Sequence, residues 1–274
     1  MIENLSQMFS YTFILRAILV GSLVALCASL LGVSLVLKRY AMIGDGLSHV
    51  GFGALAVATA MQWAPMEFTI PVVVLAAFLL LRISENSKIR GDAAIAMIST
   101  GALALGILVA SKTTGMNTDI HNYLFGSILA MSQEDVWLSV LLSAVVLILF
   151  VFFYHWIFAV TFDENFAKAT GTKAGTYNML LAFLTAVTIV LGMRMMGSLL
   201  ISSLIIFPAL TAMRLCKSFR GVMICATVIA LVCVFAGILC SFVYSTPTGA
   251  SIVVVNLIVF LIFSVIKWIR DNRS

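Results

Sequence analysis

The sequence predicts an all-α polytopic membrane protein with about nine transmembrane helices, because it is very apolar and carries few charges. Of its 274 residues, 62% are hydrophobic and 10% are charged. Soluble globular domains are roughly 45–50% apolar and about 25% charged, so this composition excludes a water-soluble enzyme, a disordered chain and a nucleic-acid-binding module. The net charge of +5 does not indicate a nucleic-acid partner, because the basic residues lie at the ends of apolar runs.

Nine apolar segments follow one another along the chain, separated by short polar breaks. A helix needs about 20 residues to cross a bilayer, so nine spans leave little chain for a soluble domain. We therefore expect a single transmembrane domain over residues 1–274. Pro208 removes a backbone hydrogen bond and predicts a kink or a break in the seventh span. The predicted spans cover residues 11–37, 47–64, 68–82, 93–111, 134–160, 177–194, 197–215, 219–244 and 249–269.

A short amphipathic segment, residues 122–132, lies between the fourth and fifth predicted spans. It is too short to cross a bilayer. We expect a short helix on the outer side that is either interfacial or re-entrant.

The positive charges predict the orientation of the chain, because cytoplasmic loops carry an excess of Lys and Arg. With the N-terminus outside and the C-terminus in the cytoplasm, only Arg16, Lys112 and Arg194 lie toward the outer side. Adding or removing one span would scatter the charges evenly, so the span count and the charges support each other. The other 13 of the 16 basic residues lie on the inner side: Lys38, Arg39, Arg82, Lys88, Arg90, Lys168, Lys173, Arg214, Lys217, Arg220, Lys267, Arg270 and Arg273.

The longest predicted inner loop, residues 161–176, has the composition of a short helix. Asp163 is placed to cap it, with Glu164 in its first turn, and Gly171 is the residue type that ends helices. A short helix against the inner membrane face suits the docking of a soluble partner. A solvated connector is the alternative, and composition does not decide between the two.

The segment GDGLSHVG, residues 44–51, holds the polar side chains that packing explains least. Asp45 and His49 are spaced i, i+4, so they share one face of a helix. A carboxylate and an imidazole together suit Zn²⁺, Mn²⁺ or Fe²⁺, and ionisable groups in a membrane segment are costly and usually functional. A structural interpretation remains open, in which Asp45 is the N-cap of the second span and His49 a hydrogen-bonded interior histidine. The predicted topology puts Asp45 near the inner end of its span.

Enzymatic functions find little support. Residues 46–48 match the G-x-S of a serine hydrolase, but no histidine is placed obviously opposite Ser48 in the predicted topology. The pattern G-x-x-x-x-G-K-[ST] does not occur, so the chain is not expected to bind ATP in that way. A secondary cation transporter driven by an ion gradient is the alternative function, but its usual set of carboxylates buried in mid-span is missing.

Four stretches resemble the membrane permeases of bacterial ABC importers for zinc, manganese and iron. They follow the order and spacing of that family, and the agreement extends from about Leu37 to Ile258. Each stretch is weak alone, whereas the combination is specific. The stretches are GDGLSHVGFG (44–53), NYLFGSILAMS (122–132), FDENFAKATG (162–171) and RMMGSLLISSLIIFPALTAMRL (194–215).

The resemblance implies a fold similar to the vitamin B12-importer type of permease, in the plasma membrane of a prokaryote. It implies a homodimer lining one path through the lipid, a cytoplasmic ABC ATPase dimer and an extracytoplasmic metal-binding protein. The substrate is then a divalent metal (Zn²⁺, Mn²⁺ or Fe²⁺), with no cofactor bound by this chain and no ATP hydrolysis on it. In family terms Asp45 and His49 become candidate metal ligands. The inner loop of residues 161–176 then corresponds to the helix that couples the permease to the ATPase. The implied coupling residues are Asp163, Glu164, Ala167 and Gly171.

Overall fold

The computed structural model describes residues 12–86, 91–113, 123–126, 132–198 and 201–272, and these residues form a bundle of α-helices without strands. The bundle confirms the predicted all-α class. Its main helices are α1 (Thr12–Leu37), α2 (Ala41–Ala60), α3 (Pro65–Asn86), α4 (Gly91–Lys112), α5 (Gln133–Phe152), α6 (Tyr154–Phe162), α7 (Glu164–Ala169), α8 (Ala174–Met196), α9 (Ile201–Leu215), α10 (Phe219–Tyr244) and α11 (Thr248–Asp271).

Eight helices in the described ranges are long and apolar enough to cross a membrane: α1, α2, α3, α4, α5, α8, α10 and α11. The ninth predicted span is the apolar helix α9, whose described part, Ile201–Leu215, has 15 residues. At a rise of 1.5 Å per residue this part is about 22 Å long, shorter than the roughly 30 Å of a hydrocarbon core. The polytopic architecture is as predicted, with one helix whose described part is shorter than a full span.

The second span begins at Ala41 and not at residue 47, because the preceding turn is tighter than the polar sequence suggested. Arg39 takes a left-handed φ of 60°, and the N–H of Tyr40 donates to the carbonyl of Leu35 at 2.8 Å. The chain therefore reverses within three residues and enters α2 at once. Asp45 lies inside the helix as a result.

Two further features of the helices differ from the prediction, one division of a span and one proline. The fifth predicted span, residues 134–160, is divided at Phe153 into α5 and α6. Pro208 lies inside the continuous helix α9, so it does not break the helix. A proline can be accommodated in a membrane helix where neighbouring groups satisfy the freed backbone carbonyl.

The buried core is formed mainly by α1, α2, α8 and α9, while α4, α5 and α11 expose large apolar side chains. Helix α9 lies directly against α1 at Gly32. The approach is so close that a Cβ atom at Gly32 would collide with the main-chain carbonyl of Ile205. On α5 the exposed side chains include Trp137, Leu141 and Ile148, which is typical of a face that meets lipid or another apolar surface. The arrangement places α2 and α9 next to each other in the interior.

Two contacts join residues that the charges predict to lie on the same side of the membrane. At one end, the predicted inner residues Lys38 and Glu164 are 2.9 Å apart. At the other end, the predicted outer residue Arg16 donates through Nη2 to Oε1 of Gln133 at 3.4 Å. Which end faces the cytoplasm remains a prediction. Three of the predicted inner basic residues lie outside the described residues: Lys88, Arg90 and Arg273.

The predicted short outer helix, residues 122–132, is described over residues 123–126, and most of the remainder lies outside the described residues. The hydroxyl group of Tyr123 lies 3.3 Å from Oγ1 of Thr59 in α2. The carbonyl of Tyr123 accepts a hydrogen bond from the N–H of Ser198 at 2.9 Å, just after α8. This part of the segment thus packs against the predicted outer ends of α2 and α8.

Candidate metal site and coupling helix

Asp45 and His49 lie on one face of α2, as their spacing predicted. Asp45 is the fifth residue of the helix, and the N-cap position is occupied by Tyr40, which makes no side-chain capping bond. The interpretation of Asp45 as an N-cap is therefore wrong. Oδ2 of Asp45 is 3.8 Å from Nε2 of His49, and the two side chains are 39% and 13% exposed.

The imidazole of His49 is not held by hydrogen bonds in the way that an interior structural histidine is. Its Nδ1 atom is buried and has no hydrogen-bond partner among the described residues. Its Nε2 atom faces the Asp45 carboxylate at a distance longer than a hydrogen bond. Ligand atoms that bind one Zn²⁺ ion at about 2.0–2.2 Å lie within about 4 Å of each other, so the separation allows both to contact one cation.

Ser202 joins the pair to a second helix and was not identified from the sequence. Its hydroxyl group donates to Oδ1 of Asp45 at 2.9 Å. Ser202 belongs to α9, so this hydrogen bond ties the carboxylate of α2 to a second helix. The available signal was a serine pair inside an apolar run, at residues 202–203.

One chain supplies two candidate metal-ligating side chains at this place, Asp45 and His49. Among the described residues, no group of three or more His, Cys, Asp or Glu side chains is close enough to hold an ion. Ser48 does not resemble a catalytic nucleophile, because it is buried and its hydroxyl group donates to the main-chain carbonyl of Asp45 at 2.7 Å. The geometry fits a transient cation contact better than hydrolysis.

The predicted helix in the inner loop is present as α7, and its two ends are formed by the predicted residues. The Asp163 carboxylate accepts a hydrogen bond from the N–H of Phe166 at 2.9 Å. Gly171 takes a left-handed φ of +85°. The N–H of Gly171 then donates to the carbonyl of Lys168, and the N–H of Thr172 donates to that of Ala167, which is the paired-bond ending of many helices.

The two faces of α7 differ. Ala167 is buried in a small apolar cluster with Val160 of α6 and Ala174 of α8, so it holds the helix in place within the chain. Phe166 is exposed, as is Gly171. A soluble partner can therefore reach the exposed face, while the Ala167 side chain faces inward.

Glu164 uses both carboxylate oxygens, Oε2 for partners outside α7 and Oε1 for a partner within it. Oε2 accepts hydrogen bonds from Nζ of Lys38 at 2.9 Å and from Nδ2 of Asn178 at 3.2 Å, and Oε1 pairs with Nζ of Lys168 at 2.7 Å. Burial alone would raise the pKa of Glu164, but the hydrogen bonds from Lys168, Lys38 and Asn178 outweigh it and lower the pKa to about 2. The carboxylate is therefore ionised at neutral pH. The sequence did not single out Lys38 or Asn178 as partners.

The eight long apolar helices, the short capped helix on a predicted inner loop and the carboxylate–imidazole pair on one face of α2 are features of a membrane permease. The chain belongs to the ABC 3 transport family, whose sequence profile matches residues 10–267. The family resemblance carried by the four sequence stretches is confirmed.

Three relatives match nearly the whole chain. A manganese transport system membrane protein of Halalkalibacterium halodurans is 29% identical and covers 93% of this chain and 87% of its own length. A membrane protein of Haemophilus influenzae named for high-affinity zinc uptake is 27% identical, with 92% and 97% covered. Another from Haemophilus influenzae, named for iron transport, is 31% identical, with 96% and 93% covered.

Two solved structures share the fold. PsaBC from Streptococcus pneumoniae in complex with a Fab is similar with a TM-score of 0.87 at 28% identity, covering 96% of this chain and 95% of that chain. A second ABC transporter, in an inward-facing conformation, has a TM-score of 0.75 at 16% identity, with 92% and 85% covered, and supports the fold alone. The predicted ABC-permease architecture is thereby confirmed.

Proposed function

We propose that this chain is the transmembrane subunit of an ATP-driven importer of divalent transition-metal cations, with Zn²⁺, Mn²⁺ or Fe²⁺ as substrate. The observation that carries the proposal is the pair of Asp45 and His49, which presents two ligand atoms 3.8 Å apart in the interior of a membrane permease. The relatives named for manganese, zinc and iron transport support the same substrate class. Carboxylate and imidazole ligands serve all three ions, so the ligands alone do not select one.

The two ligands of one chain are completed by those of a second copy. A transition metal takes at least four ligands in most protein sites, and a two-fold symmetric dimer places the same side chains on both sides of its axis. Two copies of Asp45 and His49 supply four ligand atoms along one shared path. An ion bound this way is released more easily than one held in a closed structural site, as transport requires.

ATP hydrolysis is assigned to a separate cytoplasmic ATPase dimer on which the exposed face of α7 rests. An extracytoplasmic metal-binding protein delivers the ion to the opposite end of the bundle. Closure of the ATPases moves α7 and opens the path toward the cytoplasm. In this scheme Asp163 and Gly171 shape α7, Glu164 fastens it and Ala167 holds it against α6 and α8. The chain is a single permease domain in a prokaryotic plasma membrane, with its N-terminus outside and its C-terminus in the cytoplasm.

The test is ATP-driven metal uptake by the reconstituted complex of the chain with its ATPase and metal-binding protein. Uptake is measured for Mn²⁺, Zn²⁺ and Fe²⁺ in the wild type and in Asp45→Ala and His49→Ala. We expect both variants to lose uptake while the complex still assembles, because each removes one ligand from each copy. His155→Ala, an exposed histidine of α6, is the matched control and is expected to transport normally.

Two results would contradict the proposal. Full metal accumulation by Asp45→Ala and His49→Ala would remove the metal role from this pair. Uptake by the chain alone in proteoliposomes, driven by an ion gradient and without any ATPase, would identify a secondary transporter instead.

A further inference from the structure

A single carboxylate connects α7 to two other helices at the predicted inner end of the bundle. Lys38, the residue directly after α1, reaches Glu164 at 2.9 Å, and Asn178 of α8 reaches the same oxygen at 3.2 Å. The Lys38 side chain is only 5% exposed, and its Nζ also donates to the carbonyl of Val160 at 3.0 Å. Val160 is in the last turn of α6, where carbonyl groups lack helical partners. The ammonium group is therefore held in one place.

Within the described ranges, the buried apolar clusters do not make the same connection. The buried side chain of α7, Ala167, packs in a small cluster with Val160 and Ala174. The large core that contains α1 and α2 is a separate cluster. Among the described side chains, Lys38 of the α1–α2 turn and Glu164 of α7 form a hydrogen-bonded ion pair that links the two elements.

The turn that carries Lys38 leads directly into the candidate metal site. Helix α1 ends one residue before Lys38, and α2 begins at Ala41. The Lys38 ammonium also lies over the ring of Tyr40, 5.5 Å from its centroid. Asp45 follows one helical turn after Ala41. Because a helix moves as a stiff element, a shift of this turn moves the first turns of α2.

We propose that Lys38 is a positioning residue that links the coupling helix α7 to the metal-binding turns of α2. When α7 is displaced, the Lys38–Glu164 pair pulls the α1–α2 turn with it and shifts Asp45 and His49 relative to Ser202 on α9. The inference rests on the proposed function, since it assigns the way in which motion of the ATPases reaches the metal ligands. When the charge of Lys38 is removed, the complex continues to hydrolyse ATP but transports less metal for each ATP hydrolysed.

The experiment measures metal taken up per ATP hydrolysed by the reconstituted complex. In Lys38→Met the length of the side chain is kept and the charge is lost, while Glu164 still has Lys168 and Asn178 as partners. Glu164→Gln is a poorer choice, because it leaves the buried Lys38 without its counter-ion, which destabilises folded proteins. We expect Lys38→Met to lower the ratio about fivefold or more, the lower end of the coupling between linked sites.

Two further variants make the result specific. Lys38→Arg keeps the positive charge and is expected to restore much of the ratio. Lys217→Met removes an exposed lysine from the α9–α10 connection, outside the network, and is expected to leave the ratio unchanged. An unchanged ratio in Lys38→Met overturns the inference, and so does a loss of ATPase subunits from the complex, since either result gives Lys38 no role in transmission. The proposed function fails separately, if the wild-type complex does not take up metal with ATP.

Discussion

The neutral Ser202 side chain fixes the orientation of the charged Asp45 side chain, the proposed metal ligand. The hydrogen bond of 2.9 Å uses one oxygen of the carboxylate and leaves Oδ2 directed toward His49. Outer hydrogen bonds of this kind orient ligand side chains and influence how strongly they bind. The bond also spans two helices, so any relative movement of α2 and α9 changes the ligand geometry. The hydrogen bond between Ser202 and Asp45 therefore links metal affinity to the relative position of α2 and α9.

Substitution of Ser202 by Ala is expected to weaken metal binding by about tenfold or more, because loss of an orienting hydrogen bond typically has that effect. The measurement is the metal concentration that half-saturates ATP-driven uptake. Ser264→Ala is the matched control, since that hydroxyl group bonds only to the carbonyl of Phe260 in its own helix. Equal half-saturation in both variants would show that Ser202 does not orient the ligand.

At the scale of elements, α7 is defined by its ends more than by its length. With six residues it is far below the length at which isolated helices are stable in water. Its stability therefore depends on its caps and on its contacts with the rest of the chain. The N-cap Asp163 and the left-handed Gly171 fix its two ends, while the Glu164 network fixes its direction. A stiff short helix is what a partner protein needs in order to transmit a displacement.

The two open glycines near α7 provide a matched test of its C-terminal end. A Cβ atom at Gly171 or at Gly175 would meet nothing within 4 Å, but only Gly171 has a positive φ. Gly171→Ala should therefore destabilise the end of α7 by about 1 kcal/mol, the cost of a left-handed L-residue, whereas Gly175→Ala should not. Hydrogen exchange at residues 167–172 measures the effect. Equal protection in the two variants would contradict this explanation of the helix end.

The sequence predicted elements well where one residue type determines the local structure. Asp163 and Gly171 mark the ends of α7 in the sequence, and the i, i+4 spacing put Asp45 and His49 on one face. The start of α2 was placed six residues late, because hydropathy does not detect a turn that is closed by main-chain hydrogen bonds. Lys38, Asn178 and Ser202 were missed as partners because their contacts join helices distant in sequence, and such pairings exist only in the packed bundle.

At the scale of the whole molecule, the nine apolar segments form one bundle with two distinct ends. Two of the predicted inner loops meet at the Lys38–Glu164 pair, and residues 123–126 lie beside Thr59 and Ser198 at the predicted outer ends of α2 and α8. Helices α4, α5 and α11 remain exposed on the outside. A monomer with such large apolar faces requires lipid or a second copy around it, in agreement with the proposed homodimer.

Labelling of single cysteines tests the orientation of the bundle. In a chain whose five native cysteines are replaced, Lys217→Cys should react with a membrane-impermeant maleimide only in inside-out vesicles. Thr246→Cys should react in intact cells, because the exposed turn between α10 and α11 is predicted to lie outside. The reverse pattern would invert the topology, and reaction of both from one side would contradict the number of crossings between them.

The length of α9 has a consequence for the energetics of permeation. The roughly 22 Å of its described part occupy only about three quarters of a 30 Å hydrocarbon layer. Helix α9 also brings the Ser202 hydroxyl group to the Asp45 carboxylate, which is 39% exposed, so polar groups surround the place where an ion would lie. The electrostatic self-energy of an ion falls as polarisable surroundings come nearer, so dehydration at Asp45 is less costly there than at the centre of an unbroken apolar layer.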